Sequence, residues 1–235
     1  MSVKVFILGL PGSGKSAIAR SIVDYVNHQH INAQNDQQWS AIRFNDYAIL
    51  LDMFRQDTEG KRFKSAYPSG FDVLDLEVFD EALRVFEQGL DAYMNSLKSD
   101  EKKLVIVEFS RNDYRHAFQQ FSSTFLQDSY FIHLGADVKI CKQRVYKRRS
   151  DLSYPEDNFP VSDFIFETYY NHDDGKFLDQ ILNKYGVDRG RILVIDNNGE
   201  EQSISADIKA FIDAILFEDA HDNLGGISTN ISNVS

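Results

Sequence analysis

Short, almost wholly apolar runs alternate along the chain with longer segments in which apolar residues recur every three or four positions. Runs that lack polar alternation are typical of strands buried on both faces of a parallel sheet. Val3–Leu8 and Leu104–Glu108 are runs of this kind, and Trp39–Phe44, Tyr130–Leu134 and Arg191–Ile195 are three further predicted strands. Because helices connect such strands, the pattern predicts an α/β fold, in which three α/β/α layers surround a five-stranded parallel sheet.

The segments between these strands carry the helical signal. Apolar residues recur every four positions from Lys15 to about His30, and a longer stripe runs from Leu76 to Leu97. Residues 55–71 are polar and are predicted to form a loop or mobile segment. Residues 1–217 are therefore expected to form one domain, and the Asp-, Asn-, Gly- and Ser-rich residues 218–235 a disordered tail.

The strongest chemical signal directly follows the first strand. Gly9-Leu10-Pro11-Gly12-Ser13-Gly14-Lys15-Ser16 matches G-x-x-x-x-G-K-[ST] at every fixed position. Glycines allow the torsions that turn successive N–H groups around a phosphate, and the following helix adds its positive end. Lys15 is expected to bind the β- and γ-phosphates, and Ser16 to be a ligand for Mg²⁺. The predicted nucleotide ligands are Gly9, Pro11, Gly12, Ser13, Gly14, Lys15, Ser16, Ala17, Arg144 and Asn197. The expected nucleotide is ATP, with GTP as the alternative.

Carboxylates that follow two other strands are the next candidates, because ligands bind at the carboxyl ends of strands in such sheets. Asp46 follows the second strand and Glu108 ends the third. A carboxylate here either binds Mg²⁺ or accepts a proton from an attacking hydroxyl. Ser16 and Glu108 are the predicted metal ligands, and Asp46 is predicted to contact the acceptor. The sequence leaves open which carboxylate is the base.

Six basic residues crowd into residues 139–149 of this acidic chain. Arg144 and Arg148 are four positions apart, so they share one face of a helix. We expect them to neutralise charge on the transferring phosphoryl group, with residues 137–160 forming a lid. A solvated face or a nucleic-acid contact is the alternative.

Three further polar residues have candidate roles. Arg111 suits the bidentate binding of an acceptor phosphate or carboxylate, with a surface salt bridge as the alternative. Arg62 lies within residues 55–71, which are expected to cover the acceptor, and its charge suits an anionic one. Asn197 follows the last strand and is expected near the nucleotide base, with a simple turn as the alternative.

The composition of the chain limits the classes of binding partner that are expected. The net charge of −11 over 235 residues disfavours a nucleic acid or an anionic membrane as the main partner, without excluding a local basic pocket. The single cysteine, Cys141, cannot form an internal disulfide, and the apolar runs are too short to span a membrane. The expected location is the cytoplasm. The oligomeric state is open, and a homodimer is among the alternatives.

On these motifs the chain resembles the P-loop kinases of the nucleoside and nucleotide kinase type. The resemblance rests on Gly9–Ser16, on the strand that ends at Glu108 and on the helix Arg144–Arg149. Glu108-Phe109-Ser110-Arg111 looks like the Glu-Arg-Ser element of deoxynucleoside kinases, whereas an Asp after the second strand is closer to small-metabolite kinases. The phosphate loop is also similar to that of polynucleotide and seryl-tRNA kinases.

The resulting hypothesis is an ATP-dependent phosphotransferase that uses Mg²⁺ and acts on a nucleoside, a nucleotide or another small metabolite. The predicted catalytic residues are Lys15, Glu108, Asp46, Arg144 and Arg148. Three alternatives stay open: a non-kinase P-loop NTPase that acts as a nucleotide-dependent switch, a kinase of polynucleotide or tRNA ends, and a pseudoenzyme that binds nucleotide without turnover.

Overall fold

A computed structural model describes residues 1–29, 39–66, 70–148, 161–199 and 205–222. The strands are β1 (Ser2–Leu8), β2 (Trp39–Asn45), β3 (Phe63–Ser65), β4 (Phe71–Val73), β5 (Lys102–Glu108), β6 (Ser129–Gly135) and β7 (Ile192–Asp196). The helices are α1 (Lys15–Gln29), α2 (Tyr47–Gln56), α3 (Glu77–Ser96), α4 (Tyr114–Ala117), α5 (Ser123–Gln127), α6 (Val138–Arg148), α7 (Asp163–Thr168), α8 (Leu178–Asn183) and α9 (Ala206–Asp222).

The main sheet has five parallel strands in the order β2-β5-β1-β6-β7. All five coincide with the strands predicted from the sequence, so the prediction of an α/β fold with a five-stranded parallel sheet is confirmed. The central strand β1 pairs with β5 on one side and β6 on the other, and both pairings bring the carboxyl ends of the strands to the same edge.

Alternate residues of the strands face two apolar layers. Phe6 and Leu8 of β1 belong to a core cluster that also takes buried residues from α3, α4, α5 and α8. Phe6 stacks on Phe131 at 4.9 Å and meets four further phenylalanine rings edge-on. Val5 and Ile7, on the opposite face, are fully buried, and α1 packs against the sheet. Burial on both faces explains why the central strands β1, β5 and β6 lack polar alternation, whereas the edge strands β2 and β7 are only partly buried.

The prediction of a loop or mobile segment at residues 55–71 is wrong in part, because the segment contains β3 and the first residue of β4, which form a β-hairpin. Strand β3 pairs antiparallel with β4, and Phe63 is 2% exposed. Phe54 of α2 packs against both Phe63 and Phe71. The Asp57 carboxylate accepts hydrogen bonds from three successive N–H groups, which fixes the turn from α2 into the hairpin.

A second apolar cluster lies beyond the carboxyl ends of the strands. It joins α2, the hairpin, the start of α3, α6 and α7, and its members include Leu50, Phe63, Phe79, Val145 and Phe166. The acceptor-covering segment and the basic helix of the sequence analysis are thus packed in one cluster.

The chain divides into two compact units, Met1–Ser203 and Ile204–Ser235. The first holds both sheets and helices α1 to α8; the second holds α9, which runs to Asp222 and so includes five residues assigned to the tail. The single domain 1–217 stays a prediction. Arg149, residues 149–160 of the predicted lid and residues 223–235 of the predicted tail lie outside the described residues. None of the described helices is long and apolar enough to cross a lipid bilayer.

Candidate active site

The phosphate loop joins β1 to α1 through glycines in conformations that other residues rarely adopt. Gly9, Gly12 and Gly14 have φ angles of +139°, +88° and +103°. A Cβ atom at Gly12 would lie 2.3 Å from the Cys141 carbonyl oxygen of α6, and one at Gly14 would lie 2.5 Å from Asn197 Nδ2. The motif glycines therefore set the loop torsions and also let neighbouring elements approach it closely.

Lys15 begins α1 and is 5% exposed. Its Nζ donates a hydrogen bond to the Leu10 carbonyl at 2.8 Å. Burial lowers the pKa of Lys15 to about 8, although the nearby Glu108 carboxylate acts in the opposite direction. The first turn of α1 carries no acidic residue, so no side chain of the helix itself opposes its positive end. Both features favour an anion at this loop.

The carboxylate that ends β5 is engaged through both of its oxygens. Ser16 Oγ donates to Glu108 Oε1 at 2.6 Å, and Arg43 Nε of β2 donates to Glu108 Oε2 at 2.8 Å. The pairing of β2 with β5 and of β5 with β1 brings these three residues together across the sheet edge. Glu108 is therefore fixed beside Ser16, the other residue predicted to bind the metal, and their role as a metal pair stays a prediction.

The oxygen donors at this point fit Mg²⁺. Ser16 Oγ and Glu108 Oε1 are 2.6 Å apart, close to the roughly 3 Å between adjacent oxygens around an octahedral Mg²⁺ with bonds of about 2.1 Å. No three His, Cys, Asp or Glu side chains converge into a metal cage within the described ranges. A hydroxyl with one carboxylate suits an ion that takes its remaining ligands from water and phosphate.

Asp46, just beyond β2, forms a buried ion pair with Arg111, just beyond β5. Asp46 Oδ2 lies 2.8 Å from Arg111 Nη1, and the two residues are 6% and 2% exposed. Arg111 also donates to the carbonyls of Ser110 and Phe79, and its guanidinium lies over the Phe79 ring. Burial raises the pKa of Asp46, while Arg111 opposes the shift. The surface salt bridge considered for Arg111 is instead a buried pair.

Two atoms of this pair lack a well-aligned hydrogen-bond partner among the described residues. They are Asp46 Oδ2, which meets Arg111 only as an ion pair, and Arg111 Nε. A buried polar atom without a partner is unusual and marks a place where a ligand can supply one. One of these atoms is an acceptor and the other a donor.

One cavity joins these groups. Its walls are the phosphate loop, the carboxyl ends of β2 and β5, Arg148 of α6, and Val161 and Tyr170 on either side of α7. Lys15, Ser16, Glu108, Asp46 and Arg111 all line it. Pro11, Gly12 and Gly14 of the phosphate loop line it as well, whereas Gly9, Ser13 and Ala17, which were also predicted to bind the nucleotide, are absent from its walls. Arg144, Asn197 and Arg62 also lie outside these walls.

Arg144 and Asn197 support the loop from outside this cavity. Arg144 Nη1 donates to the Asn197 carbonyl at 2.9 Å and to that of Gly12 at 3.5 Å, and Nη2 donates to the Gly199 carbonyl. Asn197 Nδ2 donates to the Ser13 carbonyl at 2.7 Å. Of the two arginines on the shared helix face, Arg148 is the one that lines the cavity.

Arg62 lies away from the other candidates. It pairs with Asp75 at 3.3 Å and with Glu81 of α3, and it is absent from the walls of the cavity. These contacts join the hairpin to α3, because Arg62 directly precedes β3. Arg62 therefore helps to hold the hairpin and lies apart from the Asp46–Arg111 ion pair.

Several residues of the site were missed by sequence reasoning. Arg43 is the one basic residue in the run Trp39–Phe44, and a charge inside an otherwise buried-type strand was a usable signal. Tyr170 lines the cavity and donates to the Ser110 carbonyl at 3.3 Å. Tyr114 contacts the phosphate loop from behind. Neither tyrosine carries a motif that would distinguish it from a core residue.

Comparisons with known proteins agree with this architecture. No family model matches the chain. It is 38% identical over 63 residues to the ATP-dependent kinase YFH7 of Candida glabrata, an alignment that covers 26% of this chain and 18% of that protein. The matched part is therefore less than a fifth of the length of that curated relative.

Two solved structures share the fold over nearly their whole length. Kti12 of Chaetomium thermophilum, in complex with ADP-AlF3, has a TM-score of 0.50 at 16% identity, covering 91% of this chain and 97% of that one. A gluconokinase from Sinorhizobium meliloti 1021 has a TM-score of 0.50 at 12% identity, covering 96% and 98%. At such identities the likeness concerns the fold alone, which is that of the P-loop kinases.

Proposed function

We propose that this chain, which has the fold of the P-loop kinases, transfers the γ-phosphate of ATP to a hydroxyl group of a small acceptor, with Mg²⁺. The observation that carries the proposal is that Lys15 of the phosphate loop and the Asp46–Arg111 ion pair line the same cavity. A phosphate-binding loop and a buried carboxylate within one cavity are the parts that a phosphotransferase needs.

The contacts of the two carboxylates support different roles. Both oxygens of Glu108 are already engaged, by Ser16 and by Arg43, which suits a ligand that helps to hold Mg²⁺. Asp46 Oδ2 meets Arg111 Nη1 at 2.8 Å, and a carboxylate oxygen has a second lone pair that can accept a proton from a bound hydroxyl. Burial raises the pKa of Asp46, while Arg111 opposes the shift. We therefore assign Glu108 to the metal and Asp46 to the acceptor hydroxyl.

In the proposed reaction, Asp46 accepts the proton of the acceptor hydroxyl. The hydroxyl oxygen forms a bond to the γ-phosphorus while the bond from that phosphorus to the β–γ bridging oxygen breaks, which leaves ADP. Bound Mg²⁺ would lower the charge on the β- and γ-phosphate oxygens, and Ser16 and Glu108 would hold it. Lys15 and Arg148 are the cations of the cavity that can stabilise the transferring phosphoryl group.

The charges on the acceptor side favour an uncharged acceptor. Arg111 is neutralised by Asp46, and its Nη1 and Nη2 already donate to backbone carbonyls. Arg62, which suggested an anionic acceptor, is paired with two carboxylates elsewhere. An alcohol or polyol hydroxyl can donate to Asp46 Oδ2 and accept from Arg111 Nε, so it would give the first atom a second partner and the second atom an acceptor.

The first experiment is transfer of labelled γ-phosphate from ATP to separate pools of neutral alcohols and sugars, nucleosides, and phosphorylated or carboxylated metabolites. The expected result is label in a neutral pool, lost in Lys15→Ala. Label in an anionic pool would support phosphate transfer but contradict the proposal of an uncharged acceptor. Release of free phosphate alone would favour the nucleotide-dependent switch over the kinase.

The assignment of the base predicts the behaviour of Asp46→Asn. Losing a positioned base should lower kcat by about 10²- to 10⁴-fold, while the Kd for ADP stays within about twofold because the phosphate loop is intact. Asp52→Asn on the exposed side of α2 is the matched control and should leave both values unchanged. An active Asp46→Asn would show that the base lies elsewhere.

A further inference from the structure

A fully buried tyrosine contacts the phosphate loop from behind. Tyr114 begins α4, and its hydroxyl oxygen accepts a hydrogen bond from the Gly9 N–H at 2.6 Å. Gly9 is the first residue of the loop and has a φ of +139°. Since glycine populates many torsions, a peptide at Gly9 without a fixed partner could rotate at little cost.

Tyr114 is itself held on two sides. Its backbone N–H donates to Asp174 Oδ1 at 2.8 Å, and its ring meets the His133 ring edge-on at 5.7 Å. His133 lies on β6 opposite Leu8 of β1 and is 2% exposed. Its Nε2 lies 3.0 Å from Asp173 Oδ2. Two successive carboxylates thus fix the backbone and the ring neighbour of Tyr114.

The segment that supplies these carboxylates packs very closely against His133. A Cβ atom at Gly175 would lie 1.9 Å from His133 Nε2, and the Gly175 N–H donates to Asp173 Oδ1 at 2.8 Å. Only glycine permits this approach, so the chain packs directly on the imidazole. His133 and Tyr114 are consequently enclosed between this segment and the sheet.

We propose that Tyr114 is a positioning residue for phosphate binding, whose hydroxyl fixes the orientation of the Gly9 peptide where the loop begins. Tyr114 is absent from the walls of the cavity, so its effect on a ligand would pass through the loop. The inference rests on the proposed binding of a polyphosphate at Gly9–Ser16 and not on phosphate transfer. Burial raises the pKa of Tyr114 well above its ordinary value.

The test is Tyr114→Phe, with binding of ADP and of inorganic tripolyphosphate measured by calorimetry. Tripolyphosphate has no base or ribose, so it reports on the loop alone. Losing one buried hydrogen bond predicts affinities for both probes about 3- to 10-fold weaker. Tyr185→Phe is the matched control: its ring packs on Phe118 in the same core, its hydroxyl has no hydrogen bond among the described residues, and both affinities should be unchanged.

A purely structural role would predict a lower Tm with unchanged affinity for both probes, and that result would overturn the proposal. A loss of affinity for ADP without one for tripolyphosphate would also overturn it, because the effect would then lie outside the phosphate loop. Wild-type protein that binds both probes but transfers no phosphate would overturn the proposed function and leave this inference intact. Wild-type protein that binds neither would overturn both.

A second pair of variants keeps the proposal testable if Tyr114→Phe does not fold. Asp174→Ala removes the acceptor of the Tyr114 N–H, whereas Asp174→Asn keeps an oxygen that can accept it. Asp174→Ala should weaken tripolyphosphate binding by about 2- to 5-fold, and Asp174→Asn should restore most of the affinity. Equal affinity in Asp174→Ala and wild type would contradict the role of the segment.

Discussion

In the free protein, burial disfavours the charged form of Lys15. Its ammonium is buried, its one hydrogen bond among the described residues is to the Leu10 carbonyl, and its pKa falls from an ordinary value of 10.5 to about 8. Desolvation outweighs the attraction of Glu108, which is itself paired with Arg43. A bound polyphosphate would favour the charged form and raise the pKa again.

This predicts a pH dependence of nucleotide binding. Below about pH 8 the free protein already carries the Lys15 proton, so ADP affinity should be flat with respect to this group. Above about pH 8 the proton is lost from the free protein and must be regained on binding, so affinity should fall, by at most about tenfold per pH unit. Calorimetry between about pH 6.5 and 9.5 measures both the affinity and the proton uptake.

Lys15→Met provides the control for this titration. The variant should bind ADP more weakly and show no change of slope near pH 8, because no proton is taken up at this position. A wild-type affinity that stays constant up to about pH 9.5 would mean that the ammonium keeps its charge in the free protein.

Among the elements, the phosphate loop and α6 depend on each other. The Cys141 carbonyl of α6 occupies the space where a side chain at Gly12 would be, and Arg144 of the same helix reaches the carbonyls around the loop. The basic helix therefore does two things with one face: Arg144 secures the loop and Arg148 faces the cavity. Its spacing of four residues made both equally good candidates in the sequence.

A pair of alanine substitutions tests this packing. Gly12→Ala places a Cβ 2.3 Å from a backbone oxygen at a φ of +88°, so the protein should lose stability and most of its ADP affinity. Gly89→Ala, in the exposed middle of α3 with no atom within 4 Å of the new Cβ, should gain about 0.5–1 kcal/mol. Denaturant unfolding and ADP titration of both variants measure these effects. A Gly12→Ala protein with wild-type affinity would show that the loop tolerates displacement from α6.

The elements that the sequence predicts well are those whose signal is local. The central strands are buried on both faces, so each is a continuous apolar run, and the phosphate loop is a contiguous motif. The hairpin was missed because Phe63 and Phe71 are isolated within a polar segment, and their burial comes from contact with Phe54 of α2. Tertiary contacts of this kind produce no periodic pattern of apolar residues in the sequence.

The same distinction separates the parts of the candidate site. Asp46 and Arg111 could each be identified as strand-end residues, but their pairing joins positions 65 apart and depends on β2 lying beside β5. Our proposed assignment of the two carboxylates rests on Arg43, because Arg43 Nε donates to one oxygen of Glu108. That contact depends on β2 lying beside β5, so the sequence alone could not suggest the assignment.

At the scale of the unit Met1–Ser203, two apolar clusters of described residues pack in different places. One fills the space between the sheet and the helices around α3, and the other joins α2, the hairpin, α6 and α7 beyond the strand ends. Leu10 of the phosphate loop belongs to the second cluster, and Leu50 both belongs to it and lines the cavity. Ligand binding in the cavity should consequently stabilise the second cluster as well as the loop.

A thermal-shift experiment tests this coupling and the role of the metal together. ADP with Mg²⁺ at about 100 times its Kd should add about 2.7 kcal/mol to the free energy of unfolding. For a chain of this size that raises Tm by roughly 5–10 °C.

Because Ser16 and Glu108 are the oxygen donors beside the phosphate loop, replacing Mg²⁺ with EDTA should remove much of the shift in the wild type. Ser16→Ala should show the smaller shift whether or not Mg²⁺ is present, since Glu108 alone cannot complete the pair. An equal shift with Mg²⁺ and with EDTA in the wild type would exclude this pair as the metal site, and the search would then move to the other carboxylate of the cavity, Asp46.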